Sequence, residues 1–436
     1  MKSRHLIIIL FFLPSLLKAQ DTTLLTSEDA VRLAIENNLN IKIIEADRDI
    51  AMINNNWGNA GRWPVVNANI GNTEALSNLN QSLANGTEIK RNGVTNNTLN
   101  ANIQASWRIY NGKRVVATKN RFEELEKIGE INVSQQMQRI SFDVLVVYNN
   151  IVRFNQQVKA FHAIIALSRE RYTIAKTRFD VGSAAKTDML QSQIDLNEQE
   201  INLNNVERQI QDNKAILNTL LKRPPAYPIT VADSTFFIPT LNYDSAIAKI
   251  DTQNLDLLRA ERERAILIEE RRIINSNRIP SLSLNSTTNY NRTKASGGFF
   301  LTNQTYGPNI GLSMAIPIYN SNVFKTQLRT NEVLQKQQKF QTELIRTQLQ
   351  RDMFIAFQEF ENAKHVADVE EKNVKIATEN NFISTERFKK LQGNSIELRQ
   401  AQLSLIEAQD RYINALYREK LAALSAQLII GEVGAE

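Results

Sequence analysis

The sequence predicts a mainly α fold with β-hairpins, duplicated in tandem. Three observations lead there: long segments almost free of Gly and Pro with apolar residues recurring every seven positions, four shorter segments with apolar residues at every second position, and a self-match at offsets of 216 and 209 residues. A seven-residue period is the seam of a coiled coil, and a two-residue period is a strand with one apolar face. A self-match at so long an offset means that a whole structural unit is repeated.

The 436 residues open with MKSRHLIIILFFLPSLLKAQ: a basic start at Lys2 and Arg4, then an apolar stretch from Leu6 to Leu17. That stretch is too short for a helix to cross about 30 Å of hydrocarbon. It reads as a secretory signal peptide over residues 1–19, so the chain is expected to be exported. Without the leader's three cations, the excess of Lys and Arg over Asp and Glu falls from +6 to +3. So even a balance gives no basic footprint for nucleic acid. The chain has no Cys, and only His162 and His365 lie outside the leader, which leaves little for a transition-metal site and implies no cofactor. No later run of apolar residues is long enough for a membrane-spanning helix, so any crossing has to be made by strands.

Helices are predicted over Ser27–Asn59, Lys113–Phe179, Thr187–Lys222, Tyr243–Asn277, Asn322–Lys390 and Ser395–Ile430. In the second of these, Val144, Ile151, Val158, Ile165, Tyr172 and Phe179 form one row and Val147, Phe154, Phe161, Ser168 and Ala175 another. Met189, Leu196, Leu203, Ile210 and Leu217 carry the seam into the third. The segment DVGSAA between them reads as a tight reversal, giving two antiparallel helices that meet at a tip near Gly182.

Strands are predicted at Val65–Gly71, Leu99–Trp107, Ser281–Tyr290 and Tyr306–Ile316. Leu99, Ala101, Ile103, Ala105 and Trp107 alternate with Asn100, Asn102, Gln104 and Ser106. Each pair of strands reads as a hairpin whose ends are joined by an Asn-, Thr- and Gly-rich loop, Asn72–Asn97 in the first and Asn291–Thr305 in the second. Four strands of this length cannot bury an adequate core alone, but they have the length of transmembrane strands.

The offset of 216 brings Ala30 onto Ala246, Asn38 onto Asn254 and Pro64 onto Pro280. The offset of 209 brings Phe179 onto Phe388, Leu196 onto Leu405 and the IYN at Ile109 onto the IYN at Ile318. The chain thus divides into a first repeat, 20–222, with a hairpin at 64–107 and a tip at 180–186. A linker follows at 223–242, and a second repeat occupies 243–436, with a hairpin at 280–316 and a tip at 390–394. The linker's four Pro residues make it non-helical, and its apolar residues predict packing on the helices. At 1.5 Å per residue the long helix of each repeat spans roughly 100 Å, and the two shorter helices placed end to end match it.

Over essentially the whole chain beyond the leader, the sequence resembles the TolC-type outer-membrane efflux family (outer membrane factors). The resemblance is carried by FDVGSAAKTDMLQSQ at Phe179–Gln193, RFKKLQGNSIELRQAQ at Arg387–Gln402, RWP before the first strand, and IYNGKR and IYNSNV after each hairpin. It implies a homotrimer in which twelve strands close a transmembrane β-barrel and the helices form a long periplasmic α-barrel. The implied place is the cell outer membrane, in contact with its lipid. The implied activity is that of a passive conduit for efflux or type I secretion, with no enzymatic step. The implied partners are a periplasmic adaptor (membrane fusion) protein and an inner-membrane pump of the RND or ABC type. It also implies that the periplasmic tips open like an iris.

Asp188 and Glu397 stand 209 residues apart, just after the two tips, with Gln191 and Gln400 one turn further on. In a trimer these four are expected to line the pore constriction, where rings of carboxylates favour cations; the competing reading is of carboxylates that merely suit a helix N-terminus. Val181, Gly182, Ser183, Leu391 and Gly393 are the expected adaptor-docking tip, with Gly393 turning the chain in the second repeat. The residues that latch the mouth in the family correspond here to Gly393 and Phe388, which cannot make the same contacts. Lys186, Lys389, Lys390 and Arg399 are the candidates to replace them. A periplasmic coiled-coil scaffold or adhesin stalk is the alternative function that the seams alone permit; strands inserted at the same place in both repeats argue against it.

Overall fold

A computed structural model describes residues 24–232, 236, 238 and 240–433. The expected signal peptide, and residues 233–235, 237 and 239 of the linker, lie outside the described residues. The chain runs β1 (Leu24–Leu25), α1 (Ser27–Asn37), α2 (Leu39–Asn54), β2 (Val65–Ser82), β3 (Glu88–Tyr110), α3 (Arg114–Asp180) and α4 (Lys186–Leu220). It continues with β4 (Thr230–Val231), α5 (Tyr243–Gln253), α6 (Leu255–Ser276), β5 (Ser281–Ala295), β6 (Thr302–Ala315), α7 (Val323–Lys389) and α8 (Ser395–Ile430).

α3 and α7 are each 67 residues long, about 100 Å of helix. α3 packs along α4 and along the line of α1 and α2, while α7 packs along α8 and along the line of α5 and α6; α3 also touches α6 and α8, joining the repeats. The main core gathers Ala30, Ala34 and Ile41 with Val144, Ile151 and Val152 of α3 and Ile210 and Leu217 of α4. The seven-residue rows are therefore the buried seam. Its counterpart in the second repeat contains Ala246, Ile250, Leu257, Met353, Ala426 and Ile430.

The sequence predicts one continuous helix at the start of each repeat, and the structure breaks both. Asn38 leaves helical geometry (ψ 130°), accepts the Asn40 N–H on Oδ1, and donates from Nδ2 to the Leu220 carbonyl at 3.0 Å. Asn254 does the same between α5 and α6 and donates to the Ile429 carbonyl at 2.8 Å. The two bonds are equivalent under the repeat. Each buried amide supplies a cap and ties the end of the repeat's last helix to its first pair.

The linker lies against the helices. Asn218 donates to the carbonyls of Pro225 and Tyr227 at 3.0 and 2.8 Å, β4 pairs in parallel with β1, and Ile229 and Val231 are buried in the main core.

The four long strands form one antiparallel sheet in the order β2-β3-β5-β6. They exceed the expected lengths. Most of the 72–97 and 291–305 segments, expected as loops, is paired strand, with reversals only at residues 83–87 and 296–301. Register places Val66, Ala68 and Ile70 on one face with Leu99, Ala101, Ile103 and Ala105, followed by Leu284 and Tyr290 of β5 and Leu312, Ile310 and Tyr306 of β6. The opposite face carries Asn67 and Asn69, then Asn100, Asn102, Gln104 and Ser106, then Asn285, Thr287 and Asn289. Side-chain bonds run along this amide face, Asn69 to Asn102 at 3.0 Å and Ser106 to Asn285 at 3.0 Å. β2 and β6 are open edges, and the apolar face is exposed: Ile70, Tyr306 and Ile310 are more than 70 % accessible.

Candidate functional site

The site that sequence points to is the pair of tips at the end of the shaft remote from the sheet. In the first, α3 closes on Val181, and Gly182 takes the left-handed conformation (φ +74°), donating its N–H to the Phe179 carbonyl at 2.9 Å while Ser183 donates to Arg178 at 2.7 Å. This is a common end to a helix and wants a residue without Cβ strain. The second tip repeats the geometry 209 residues on, where Leu391 has φ +63° and bonds the Phe388 carbonyl at 3.2 Å. Leu391, not Gly393, therefore turns the chain; Gly393 has an ordinary backbone. Val181 and Leu391 are 71 % and 72 % exposed, so each tip ends in an unburied apolar side chain flanked by Gly182 and Ser183, or by Gly393.

Asp188 lies in the first turn of α4 and Glu397 in the first turn of α8, where unpaired N–H groups favour a carboxylate. Asp188 accepts the Ser395 hydroxyl at 3.3 Å, a bond between the two tips. Glu397 takes an ion pair from Arg387 at 2.6 Å, so its charge is compensated within its own tip. Gln191 donates to Asp195 at 2.8 Å, and Gln400 is exposed.

Around these lies a set of contacts that join the repeats. Asp195 is buried between α4 and its neighbours. It pairs with the buried Arg171 guanidinium of α3 and accepts Arg399 Nε of α8 at 3.0 Å. Burial pushes the Arg171 guanidinium below its ordinary value, and the Asp195 carboxylate opposes that shift. Arg178 at the end of α3 stacks 4.0 Å above the ring of the buried Phe388 and donates to the Phe388 carbonyl. Lys389 bridges to Glu170 at 2.8 Å. Of the four cations expected as substitutes for the family latch, Arg399 and Lys389 thus reach across to the first repeat.

Arg171, Asp195, Arg178, Arg387 and Ser395 were not singled out from sequence. A signal for the first two was present: Arg171 and Asp195 are equidistant from Ser183, and antiparallel helices bring equidistant residues together. Arg387 and Glu397 stand in the same relation to Gln392.

The whole is a shaft of paired helices with charged cross-ties at one end and, at the other, a sheet with one apolar and one amide face. This is the fold of outer-membrane channels. VceC from Vibrio cholerae superposes with a TM-score of 0.75 at 14 % identity, over 93 % of this chain and 96 % of that one. The CmeC outer membrane channel of Campylobacter jejuni gives 0.74 at 15 % identity over 93 % and 85 %, and the MtrE outer membrane channel of Neisseria gonorrhoeae, in its open state, gives 0.72 at 15 % over 93 % and 89 %. Residues 30–222, from α1 to the end of α4, match the family model described as outer membrane efflux protein. No curated protein matches the sequence.

Proposed function

We propose that the chain is the protomer of a trimeric outer-membrane channel, a passive conduit from periplasm to exterior that serves a tripartite efflux or type I secretion system. The observation that carries this reading is the sheet: an exposed apolar face, an amide face and two open edges. Lipid tolerates no open edge, and three copies of four strands closed edge to edge satisfy every backbone group. The apolar face then meets lipid and the amides line the passage. Aromatic residues flank that apolar face: Trp63 and Trp107 at the end near the helices, Tyr290 and Tyr306 near the other, about 20 Å apart along the strands. The shaft then lies in the periplasm, with its tips available to an adaptor and an inner-membrane pump, and Val181 and Leu391 supply apolar docking contacts.

In this reading the tips are the gate. Arg399–Asp195, Arg178–Phe388, Lys389–Glu170 and Ser395–Asp188 hold α7 and α8 against α3 and α4, and an iris-like opening has to part them. With Glu397 compensated by Arg387, Asp188 is the carboxylate of the four constriction candidates that has no ion pair among the described residues. Single-channel recording in planar bilayers tests this. Wild type is expected to pass a small cation-selective current, Arg178→Ala with Arg399→Ala a larger one, and Asp188→Ala with Glu397→Ala a current of lower selectivity. A properly folded oligomer that never conducts would sink the channel reading in favour of a periplasmic scaffold.

A further inference from the structure

We propose that the reversal between β5 and β6 is a second, apolar constriction, which restricts what leaves the outer mouth of the passage. The inference rests on the channel reading above. In the sheet, β5 neighbours β3, and β2 lies beyond β3. Yet an added Cβ at Gly298 would stand 3.1 Å from Leu79 Cδ2 and 3.6 Å from Gln81 Oε1, both on β2. The loop can reach β2 only by lying across one face of β3.

Register identifies that face. Leu79 and Gln81 continue the odd-numbered row of Asn67 and Asn69, and Val94 continues the even-numbered row of Asn100 and Asn102. Between Ser77 and Leu79 the partner strand contributes one extra residue, which brings Arg91 onto the same side as Leu79. A Cβ at Gly297 would meet Arg91 Cδ at 3.1 Å and Val94 Cγ2 at 3.2 Å. All four contacts are thus on the amide face. The absence of a side chain at Gly297 and Gly298 lets the backbone lie flat there, and Gly298 has φ +118°, a conformation other residues avoid. Ser296 fixes the start of the fold-over, donating its N–H to the Thr95 carbonyl at 2.9 Å and accepting the Thr95 N–H on its hydroxyl at 2.8 Å. Beneath the loop Val94 is only 3 % exposed.

Phe299, Phe300 and Leu301 follow immediately, 58 %, 67 % and 62 % exposed, with the two rings edge to face at 4.7 Å. Had the loop been seated on the apolar face, lipid would account for these three side chains. Seated on the amide face, they stand at the rim of the passage. Three copies bring nine apolar side chains to that rim, where a hydrophobic constriction impedes water and ions by dewetting. The amide-lined barrel below imposes no comparable barrier, so this loop and the periplasmic tips act in series. The class of cargo favoured at the outer mouth is then amphiphilic or apolar.

Because the tips dominate resistance when closed, the test starts from the Arg178→Ala, Arg399→Ala protein. Adding Phe299→Ser, Phe300→Ser and Leu301→Ser is expected to raise single-channel conductance roughly twofold or more, whereas Phe299→Leu with Phe300→Leu leaves it low. Equal conductance in the serine variant and its parent would overturn the proposal; a parent that passes no current at all would instead sink the channel reading. The chain has no cysteine, so Val94→Cys with Gly297→Cys gives an independent check on the seat of the loop. A disulfide between them in the folded oligomer supports it, and failure to form under oxidation overturns it.

Discussion

Glu419 illustrates how a single side chain reports on the shaft. It lies on α8, only 8 % exposed, near Lys364, Asp368 and Glu361 of α7. Burial raises its pKa above the ordinary 4.5, Asp368 and Glu361 add to that, and Lys364 opposes it. A folded-state pKa that is raised gives stability that is fully present below the unfolded value and lost as pH rises through the folded one. At pH 7 the fold therefore carries the cost of a charged Glu419. Glu419→Gln is expected to raise the unfolding temperature of the purified protein at pH 7, and the gain should vanish below about pH 4.5; a gain independent of pH would refute the burial argument. Residue-level legibility was uneven for a physical reason. First-turn carboxylates such as Asp188 and Glu397 are visible because position after a tip marks them. Whether such a charge is free depends on partners that come from the other arm of a hairpin, as Arg387 does, or from the other repeat, as Ser395 does. The Arg171–Asp195 pair was readable once the tip was fixed at Ser183, since equal spacing from a reversal implies contact.

At the level of elements, the two tips share a backbone but not a residue at its left-handed position. Gly182 meets that demand without strain, and a Cβ there would touch nothing within 4 Å. Leu391 meets it with a branched side chain that is 72 % exposed and so recovers little by packing. A left-handed residue with a Cβ costs about 1–2 kcal/mol, partly offset by the greater chain entropy of Gly when unfolded. Leu391→Gly is therefore expected to stabilise the second tip by up to about 1 kcal/mol, seen as slower amide exchange in residues 385–392, whereas Gly182→Ala should speed exchange at the first. Unchanged exchange in both would mean that the turns carry no strain. The helices were legible because their seams are buried on one side only, which preserves the period. The helix breaks at Asn38 and Asn254 were not, because an Asn in an amphipathic pattern looks like a solvent-facing position; only its recurrence at 216 residues hinted at a role. The strands came out longer than expected because apolar residues in 72–97 are few and fall on both faces (Leu76 on one, Leu79 and Val94 on the other), so pairing continues after the alternation that marks a strand has ended.

For the whole molecule, duplication and fold class were readable from the two offsets, but the pairing of β3 with β5 that merges the hairpins into one sheet was not, since no short-range pattern records it. What the lone protomer leaves exposed supplies the rest. On α7, Val333, Phe340 and Phe354 lie at multiples of seven and are 66 %, 62 % and 52 % accessible; Val369, Ile376 and Ile383 form a second such row. Ile194 and Ile201 on α4, and Ile43 and Ile50 on α2, are exposed at the same spacing. A coiled-coil seam with no partner in its own chain demands one from another chain. These rows run along the shaft, so in the proposed assembly they make a lateral contact between copies of this chain side by side, as closing the sheet there also requires. Phe340→Glu with Ile376→Glu places two charges in each lateral contact while leaving the internal seam of Val144, Ile151 and Leu217 untouched. The expected outcome is a helical protein, unchanged by circular dichroism, that light scattering shows as a monomer, against the trimer proposed for the wild type. A variant that stays trimeric would place the stripe outside the assembly and leave closure of the barrel to the strand edges alone.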